Sequence, residues 1–266
     1  MISIAEWMIA ASDISERDRE ELLAEMLGIS KADILARPEI QIPETKLKCI
    51  NHGLKRLKLG EPLAYVLGNW EFWGLTLQLT TQTLIPRPET ELLVETVLHT
   101  APDNAHVLDL GTGCGAIAIA IAHERPDLKV TATDYSPGPL AVARTNAQRM
   151  QVNVAFIVSN WFSELTGQWD IIVSNPPYVG TEDVHLENLQ YEPRAALVSG
   201  PTGLDDLTRI VAAAPHHLHN GGVLVIEHGY NQGTAVRDLF ATAGLAQIET
   251  RRDLGNNERM TYGYWR

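Results

Sequence analysis

Asn175-Pro176-Pro177-Tyr178 is the segment of this chain best suited to chemistry. It follows Asp170-Ile171-Ile172-Val173-Ser174, an apolar run that predicts a fully buried strand. Neither proline can donate a backbone hydrogen bond, so a sheet ladder must stop there. In an open α/β sheet the carboxyl ends of the strands are where ligands bind. What remains is the Asn175 amide and the Pro176 carbonyl, two stiff acceptors beside the Tyr178 ring. That set suits gripping a planar NH2 group while it reacts. A rigid Pro-Pro turn after a core strand is the bland alternative, and the tetrapeptide alone does not separate the two.

A second constellation shifts the balance. His106-Val107-Leu108-Asp109-Leu110 predicts another buried strand, and Gly111-Thr112-Gly113-Cys114-Gly115 follows at once. The run Ala116 to Ala122 is apolar throughout, so its helix must be buried on most sides. Strand, glycine turn and helix start make a cradle: glycines let backbone approach a ligand, and a helix N-terminus favours an anionic group. Gly111, Gly113 and Ala116 also fit the loose dinucleotide fingerprint, so the loop does not by itself name the cofactor. A carboxylate at Asp109 can hold the ammonium of an amino-acid-bearing cofactor, directly or through water.

Lys129-Val130-Thr131-Ala132-Thr133 predicts a third strand ending in Asp134, where ribose hydroxyls can donate. Capping the turn before Ser136-Pro137-Gly138-Pro139 is the other role open to Asp134. Phe156-Ile157-Val158 predicts a short strand leading into Ser159-Asn160-Trp161-Phe162, a segment able to reach over an adenine ring. Trp161 serves there or in the core; Phe162 reads as core.

Asp109 to Gly115, Asp134 and Asn175 to Tyr178, in that order and spacing, resemble a class I S-adenosylmethionine-dependent methyltransferase. Further segments narrow the likeness. They are Pro62 to Gly68, Glu71-Phe72-Trp73-Gly74, Leu84-Ile85-Pro86-Arg87-Pro88-Glu89-Thr90-Glu91, Val225 to Gly229 and Arg252 to Arg259. Together these resemble the HemK/PrmC family, N5-glutamine methyltransferases of peptide chain release factors. The resemblance implies a Rossmann-like seven-stranded domain preceded by a small all-helical N-terminal domain and a β-hairpin linker. It implies S-adenosylmethionine as cofactor, with Asp109, Gly111, Thr112, Gly113, Cys114, Gly115, Asp134, Asn160, Trp161 and Asn175 around it. It implies Asn175, Pro176 and Tyr178 as the catalytic set. Pro177, Pro88 and Glu89 would join them in lining the substrate channel. The acceptor implied is the glutamine of the Gly-Gly-Gln motif in class I release factors. Two positions depart from the family. It more often has Asp at Asn160, although an Asn carbonyl accepts the same hydrogen bond. The stretch Val198-Ser199-Gly200-Pro201-Thr202-Gly203 replaces a commoner Gly and Asp and reads as loop variation.

Composition limits the alternatives. The chain has 266 residues, 45% hydrophobic and 20% charged, ordinary for one large or one large and one small globular domain. Cys49 and Cys114 are too few for a disulfide framework. The N-terminus lacks a basic region and a long apolar stretch, so no signal peptide or membrane span is expected, and the cytosol is the default. A net charge of −12 weighs against a broad grip on duplex DNA, so no stable nucleic-acid complex is expected. Lys46, Lys48, Lys55, Arg56 and Lys58 cluster on a predicted helix and read as a solvated face rather than a docking patch.

The elements that must position these residues divide in two. Residues 1–62 show helical periodicity, with Ser15 and Ser30 as N-caps, Gly28 as a stop and Pro43 opening a helix toward Gly60. Aromatic and β-branched residues from Tyr65 to Leu79 predict a hairpin within a 63–86 linker. From 87 to 266 strands and helices alternate, the pattern of a parallel sheet covered on both faces. Gly203 to His219 predicts a helix stopped by Asn220-Gly221-Gly222, and Val223 to Glu227 a buried strand. His216, His217 and His219 read as C-terminal helix residues rather than metal ligands. Met260 to Trp265 is strand-like, antiparallel by the resemblance. Two other functions stay open. One is an amino methyltransferase acting on a flipped adenine or guanine, since the same tetrapeptide can clamp an exocyclic NH2. The other is a binding module that keeps the fold without catalysis.

Overall fold

The structure is a computed structural model and describes residues 2–266. It forms two compact units, Met1–Asn69 and Trp70–Arg266. The first is helical. A two-residue strand β1 (Ile2–Ser3) pairs antiparallel with β2 (Gln41–Ile42), and α1 (Ile4–Ala10), α2 (Glu16–Leu27) and α3 (Lys31–Ala36) lie between them. Ser15 and Ser30 cap α2 and α3 through their hydroxyls, and Gly28 ends α2 in the left-handed conformation, as their types predict. Ser3 adds a capping box with Glu6 that the sequence reading did not single out. Next comes α4 (Glu44–Lys58), three of whose cations are engaged locally. Arg56 pairs with Glu61 and donates to the Tyr65 and Val66 carbonyls, Lys58 pairs with Asp13, and Lys46 donates to the Met26 carbonyl.

The expected hairpin over 65–79 is shorter than its composition suggested. Tyr65, Val66 and Leu67 belong to a helix, α5 (Leu63–Leu67), closed by Gly68 at φ 74°. The hairpin comprises only β3 (Asn69–Phe72) and β4 (Leu75–Gln78). Pro62 before the helix and Gly68 after it are the local signals that outweighed aromatic and β-branched propensity.

In the second unit a 3-10 turn (Pro88–Thr90) leads into α6 (Glu91–Thr100). Then come β5 (His106–Leu110), α7 (Ala116–Glu124), β6 (Lys129–Asp134), α8 (Pro137–Met150), β7 (Val154–Val158) and β8 (Trp169–Ser174). Further along are α9 (Asp205–His217), β9 (Leu218–Glu227), α10 (Gly233–Thr242), β10 (Ala246–Arg252) and β11 (Glu258–Tyr264). The sheet order is β10-β11-β9-β8-β5-β6-β7. Strands β9, β8, β5, β6 and β7 run parallel, and β11 and β10 join antiparallel. The central strands are buried on both faces, which is why β5 and β8 read as unbroken apolar runs. Ala116 to Ala122 are all buried in α7.

One boundary differs from expectation. The helix stops at His217 and β9 begins at Leu218, before the glycine pair. Cross-strand pairing overrides the local stop signal. Leu218 is registered with Trp169, while Gly221 donates to the Trp265 carbonyl and Trp265 to the Gly222 carbonyl. His217 stacks on Phe162 with centroids 4.4 Å apart, and Phe162 is core, as predicted. No group of three or more His, Cys, Asp or Glu side chains among the described residues is placed to hold a metal ion. Nor is any helix among them long and apolar enough to cross a membrane.

The chain leaves β5 toward β6 and β7, then returns to the other side of β5 as β8. The sheet therefore has its switch point between β5 and β8, where such folds bind ligands. Ser174 at the end of β8 donates to the Leu110 carbonyl at the end of β5, at 2.8 Å, and locks the two strand ends together.

Candidate active site

A cavity of about 550 Å³ opens at this switch point. The ends of three neighbouring strands reach it: Gly111 and Gly113 follow β5, Asp134 ends β6, and Asn175 follows β8. Asn160 and Trp161, from the segment after β7, form another wall, and Pro177 lines it too.

The glycine loop needs its glycines for different reasons. Gly111, Gly113 and Gly115 all have positive φ, a conformation that costs other residues about 1–2 kcal/mol. A Cβ on Gly111 would lie 3.3 Å from the Trp161 ring, and one on Gly115 only 2.7 Å from Ile119 and 3.1 Å from Ala143. Gly111 thus admits the indole to the cavity wall, while Gly115 lets α7 and α8 approach. Cys114 faces inward: burial pushes its thiol up to about 12, and its carbonyl accepts from Asn146 at 2.9 Å. Asn146 is fully buried and also exchanges two hydrogen bonds with the backbone of Gln78, tying α8 and the loop to β4.

Asp109 is buried beneath the loop rather than lining the cavity. Its Oδ2 accepts from the Thr112 hydroxyl at 2.6 Å, and its Oδ1 is buried with no hydrogen-bond partner. Burial pushes this carboxyl up to about 7, opposed by the Thr112 hydroxyl and assisted by the charge on Asp134. An orphaned carboxylate oxygen under a glycine cradle fits a cationic ligand group. Asp134 performs turn work while lining the cavity, accepting from Gly113 N at 3.1 Å and Ser136 N at 3.0 Å. Burial raises its carboxyl as well.

Asn160 is exposed, and its Oδ1 accepts from Arg209 at 3.4 Å. Trp161 has φ 54°, and its indole donates to Asp206 at 3.0 Å. Asp206 is itself held by Ser199, which donates to Oδ2 at 2.8 Å and accepts the Asp206 N–H at 2.7 Å. Arg209 and Asp206 line the cavity and escaped the sequence reading, because only folding carries α9 to the site.

At the tetrapeptide, Asn175 donates through Nδ2 to the Thr90 hydroxyl at 3.2 Å, and its Oδ1 is buried and unpartnered. Among the described residues no backbone N–H donates to the Pro176 carbonyl. Tyr178 donates to Glu227 at 3.0 Å, and burial raises its hydroxyl well above the usual value. Beyond it, Val179 N–H donates to the Leu197 carbonyl at 2.8 Å and Ser199 N–H to the Val179 carbonyl at 3.0 Å. Gln232 donates to the Tyr178 carbonyl at 3.0 Å. The segment read as loop variation is therefore a clamp on the tetrapeptide. Gly203 at φ 77° leaves room for the Tyr178 carbonyl, which a Cβ would meet at 2.0 Å.

Pro88 and Glu89 do not line this cavity. They face a second hollow with Leu92, Leu254 and Arg259, and Glu89 pairs with Arg259 at 3.5 Å. The same 3-10 turn delivers Thr90 to Asn175, so the motif around Pro88 serves both places. Glu192, also unforeseen, is buried and holds that motif by accepting the Ile85 N–H at 3.1 Å and pairing with Arg87.

A pH test follows. Asp109 and Glu227 are both pushed up to about 7, well above the usual carboxylate range, chiefly by burial. Stability from a raised carboxyl is complete below its unfolded value and is lost as pH rises through the folded one. In the free protein, Asp109→Asn should therefore gain stability over wild type between about pH 5 and 8, by a few kcal/mol at most. Urea unfolding at both ends of that range checks it; a constant difference would mean Asp109 titrates normally.

Strand order and cavity place the second unit among the class I methyltransferases, which take their methyl group from S-adenosylmethionine. A methyltransferase from Pyrococcus furiosus has the same fold, with TM-score 0.57 at 19% identity, covering 80% of this chain and 98% of that one. The Methyltransferase small domain matches residues 88–250 and the PrmC N-terminal domain residues 5–68. Release factor glutamine methyltransferase of Pseudomonas aeruginosa is 49% identical over 253 residues, covering 93% of this chain and 92% of the relative. The protein of that name from Salmonella typhimurium is 46% identical over 257 residues, covering 95% and 93%. The chain belongs to the release factor glutamine methyltransferase family.

Proposed function

We propose that the protein transfers a methyl group from S-adenosylmethionine to the side-chain amide nitrogen, N5, of the glutamine in the Gly-Gly-Gln motif of class I peptide chain release factors. The observation that carries the reading is the buried, unpartnered Oδ1 of Asn175 at the end of β8, beside the glycine-lined cavity. A buried acceptor without a donor costs about 1–3 kcal/mol, and a ligand N–H relieves that cost.

An amide nitrogen is a poor nucleophile because its lone pair is delocalised into the carbonyl. The Asn175 oxygen and the Pro176 carbonyl accept its two hydrogens. These bonds strengthen as the nitrogen pyramidalises and positive charge develops on it. When bound, S-adenosylmethionine would supply an electrophilic methyl on a cationic sulfur, and that sulfur would retain the bonding pair. The nitrogen then releases one proton to solvent, so no strong base is needed. Tyr178 packs beside the flat amide, and its hydroxyl is tied back to Glu227. On the cofactor side, Gly111, Gly113 and Trp161 form the walls. Asp134 is placed for ribose hydroxyls, and Asp109 supplies the buried negative charge. Alignment of donor and acceptor at about 3–3.5 Å accounts for several kcal/mol of the barrier. Pro88 and Glu89 guide the approaching protein loop at the neighbouring hollow. The reading places the enzyme in the cytoplasm with the translation machinery and requires no stable nucleic-acid complex. Residues 1–62 aid partner recognition.

Incubation of the enzyme with cell extract and radiolabelled cofactor tests the acceptor class. Label removed by protease is the expected outcome. Label removed by nuclease would favour transfer to a nucleobase, and no label with no cofactor binding would favour a non-catalytic module.

A further inference from the structure

We infer that Glu227 is a positioning residue that sets which way the Asn175 carboxamide faces, acting through the Thr90 hydroxyl. The inference rests on the reading of Asn175 Oδ1 as the substrate acceptor.

A carboxamide has one donor end and one acceptor end of almost the same shape, so its orientation is decided by its neighbours. Asn175 gives its Nδ2 to Thr90 Oγ1 at 3.2 Å, which leaves Oδ1 free and buried. That arrangement requires the Thr90 hydrogen to point elsewhere. If the hydroxyl turned and donated to Asn175, the amide would flip. Its NH2 would then oppose the NH2 of the substrate, donor against donor.

Glu227 ends β9, and the Thr90 and Tyr178 hydroxyls are the neighbours that favour its charge. Its side chain is almost wholly buried, and Tyr178 donates to Oε1 at 3.0 Å. Oε2 is buried with no seated hydrogen bond, and the Thr90 hydroxyl is the polar group that most favours its charge. An ionised carboxylate can only accept. The Tyr178 hydroxyl sends its hydrogen to Oε1, the Thr90 hydrogen is drawn toward the unpartnered Oε2, and Thr90 is left as the acceptor for Asn175. Direction passes from carboxylate to hydroxyl to carboxamide. Gln at 227 breaks this rule, because it offers one acceptor and one donor where two hydroxyls need acceptors.

The charges facing Glu227 come from several elements. Glu89 on the 3-10 turn opposes its ionisation and Arg259 on β11 favours it. Arg87 and Arg259 act on Tyr178. Burial dominates and pushes the Glu227 carboxyl up to about 7. A protonated Glu227 carries its own hydrogen and no longer dictates direction, so turnover should rise with pH through neutrality and then level off.

The test uses the full chain with a purified class I release factor as acceptor. Glu227→Gln and Thr90→Val should each lower kcat about 10- to 100-fold, the range expected for a misdirected buried hydrogen bond. Cofactor affinity should be unchanged, and the acid limb of the pH–kcat profile should be absent in Glu227→Gln. The double variant should be no worse than the poorer single one, because both act in one relay. Thr90→Ser, which keeps the hydroxyl, should restore most of the turnover. Thermal melts establish that each variant is folded, and Thr90→Val carries the test if Glu227→Gln is not. Wild-type kcat and pH profile in Glu227→Gln, or additive losses in the double variant, would overturn the inference. Asn175→Ala run alongside separates the two levels. If it is inactive while the relay variants behave as wild type, only the relay fails; if it is fully active, the acceptor reading itself fails.

Discussion

Asn175→Ala should cut kcat about 10²- to 10³-fold, the loss typical of removing one preorganised hydrogen bond from a transition state. Cofactor affinity should stay within about threefold of wild type, because the bond belongs to the reacting amide and not to the ground-state cofactor. The structural reason is specific. Oδ1 of Asn175 is buried and has no partner, while Nδ2 is occupied by Thr90. Truncation removes the acceptor end and leaves a substrate N–H unpaired. Single-turnover methyl transfer together with calorimetric cofactor titration measures the two effects separately. A loss shared equally between cofactor affinity and turnover would relocate Asn175 to the cofactor side.

The second large effect is expected far from the tetrapeptide in sequence. Gly203→Ala should both destabilise the protein and disable the site. Its φ of 77° alone costs an alanine about 1–2 kcal/mol. A Cβ there would also lie 2.0 Å from the Tyr178 carbonyl oxygen and 2.7 Å from its carbon, and backbone cannot yield as a flexible side chain can. Tyr178 must shift, and Pro176 and Asn175 with it. Gly28→Ala is the control, with φ 71° and nothing within 4 Å of its Cβ. It should show the backbone cost only and keep wild-type kcat. If Gly203→Ala lost no more activity than Gly28→Ala, the clamp on the tetrapeptide would be unimportant. Activity assays with denaturant unfolding of both variants decide this.

Gly203 also illustrates what sequence could and could not reveal. Strands β5 and β8 were legible because burial on both faces leaves them largely apolar runs bounded by glycine or proline, and β6 by its β-branched residues. The positions of Gly111, Asp134 and Asn175 at strand ends followed from those patterns. The clamp from Val198 to Gly203 was not legible, because its meaning lies in where the Tyr178 carbonyl passes. Thr90, Asp206 and Glu192 were hidden for the same reason: each acts on a partner distant in sequence, at separations of 85, 45 and 107 residues. The short helix α5 was misread for a different reason. Its composition favours strand, and only its flanking Pro62 and Gly68 mark a helix. The start of β9 was hidden by a glycine pair whose local preference yields to pairing with β8 and with Trp265.

The most direct measurement uses a purified class I release factor as acceptor, with its Gly-Gly-Gln glutamine intact or replaced by alanine, and mass spectrometry to locate any added methyl group. Wild-type enzyme should place one methyl on the amide nitrogen of that glutamine and none on the alanine-bearing factor. Equal methylation of both factors, or a methyl found on any atom other than a carboxamide nitrogen, would contradict the role assigned to the Asn175 and Pro176 acceptors.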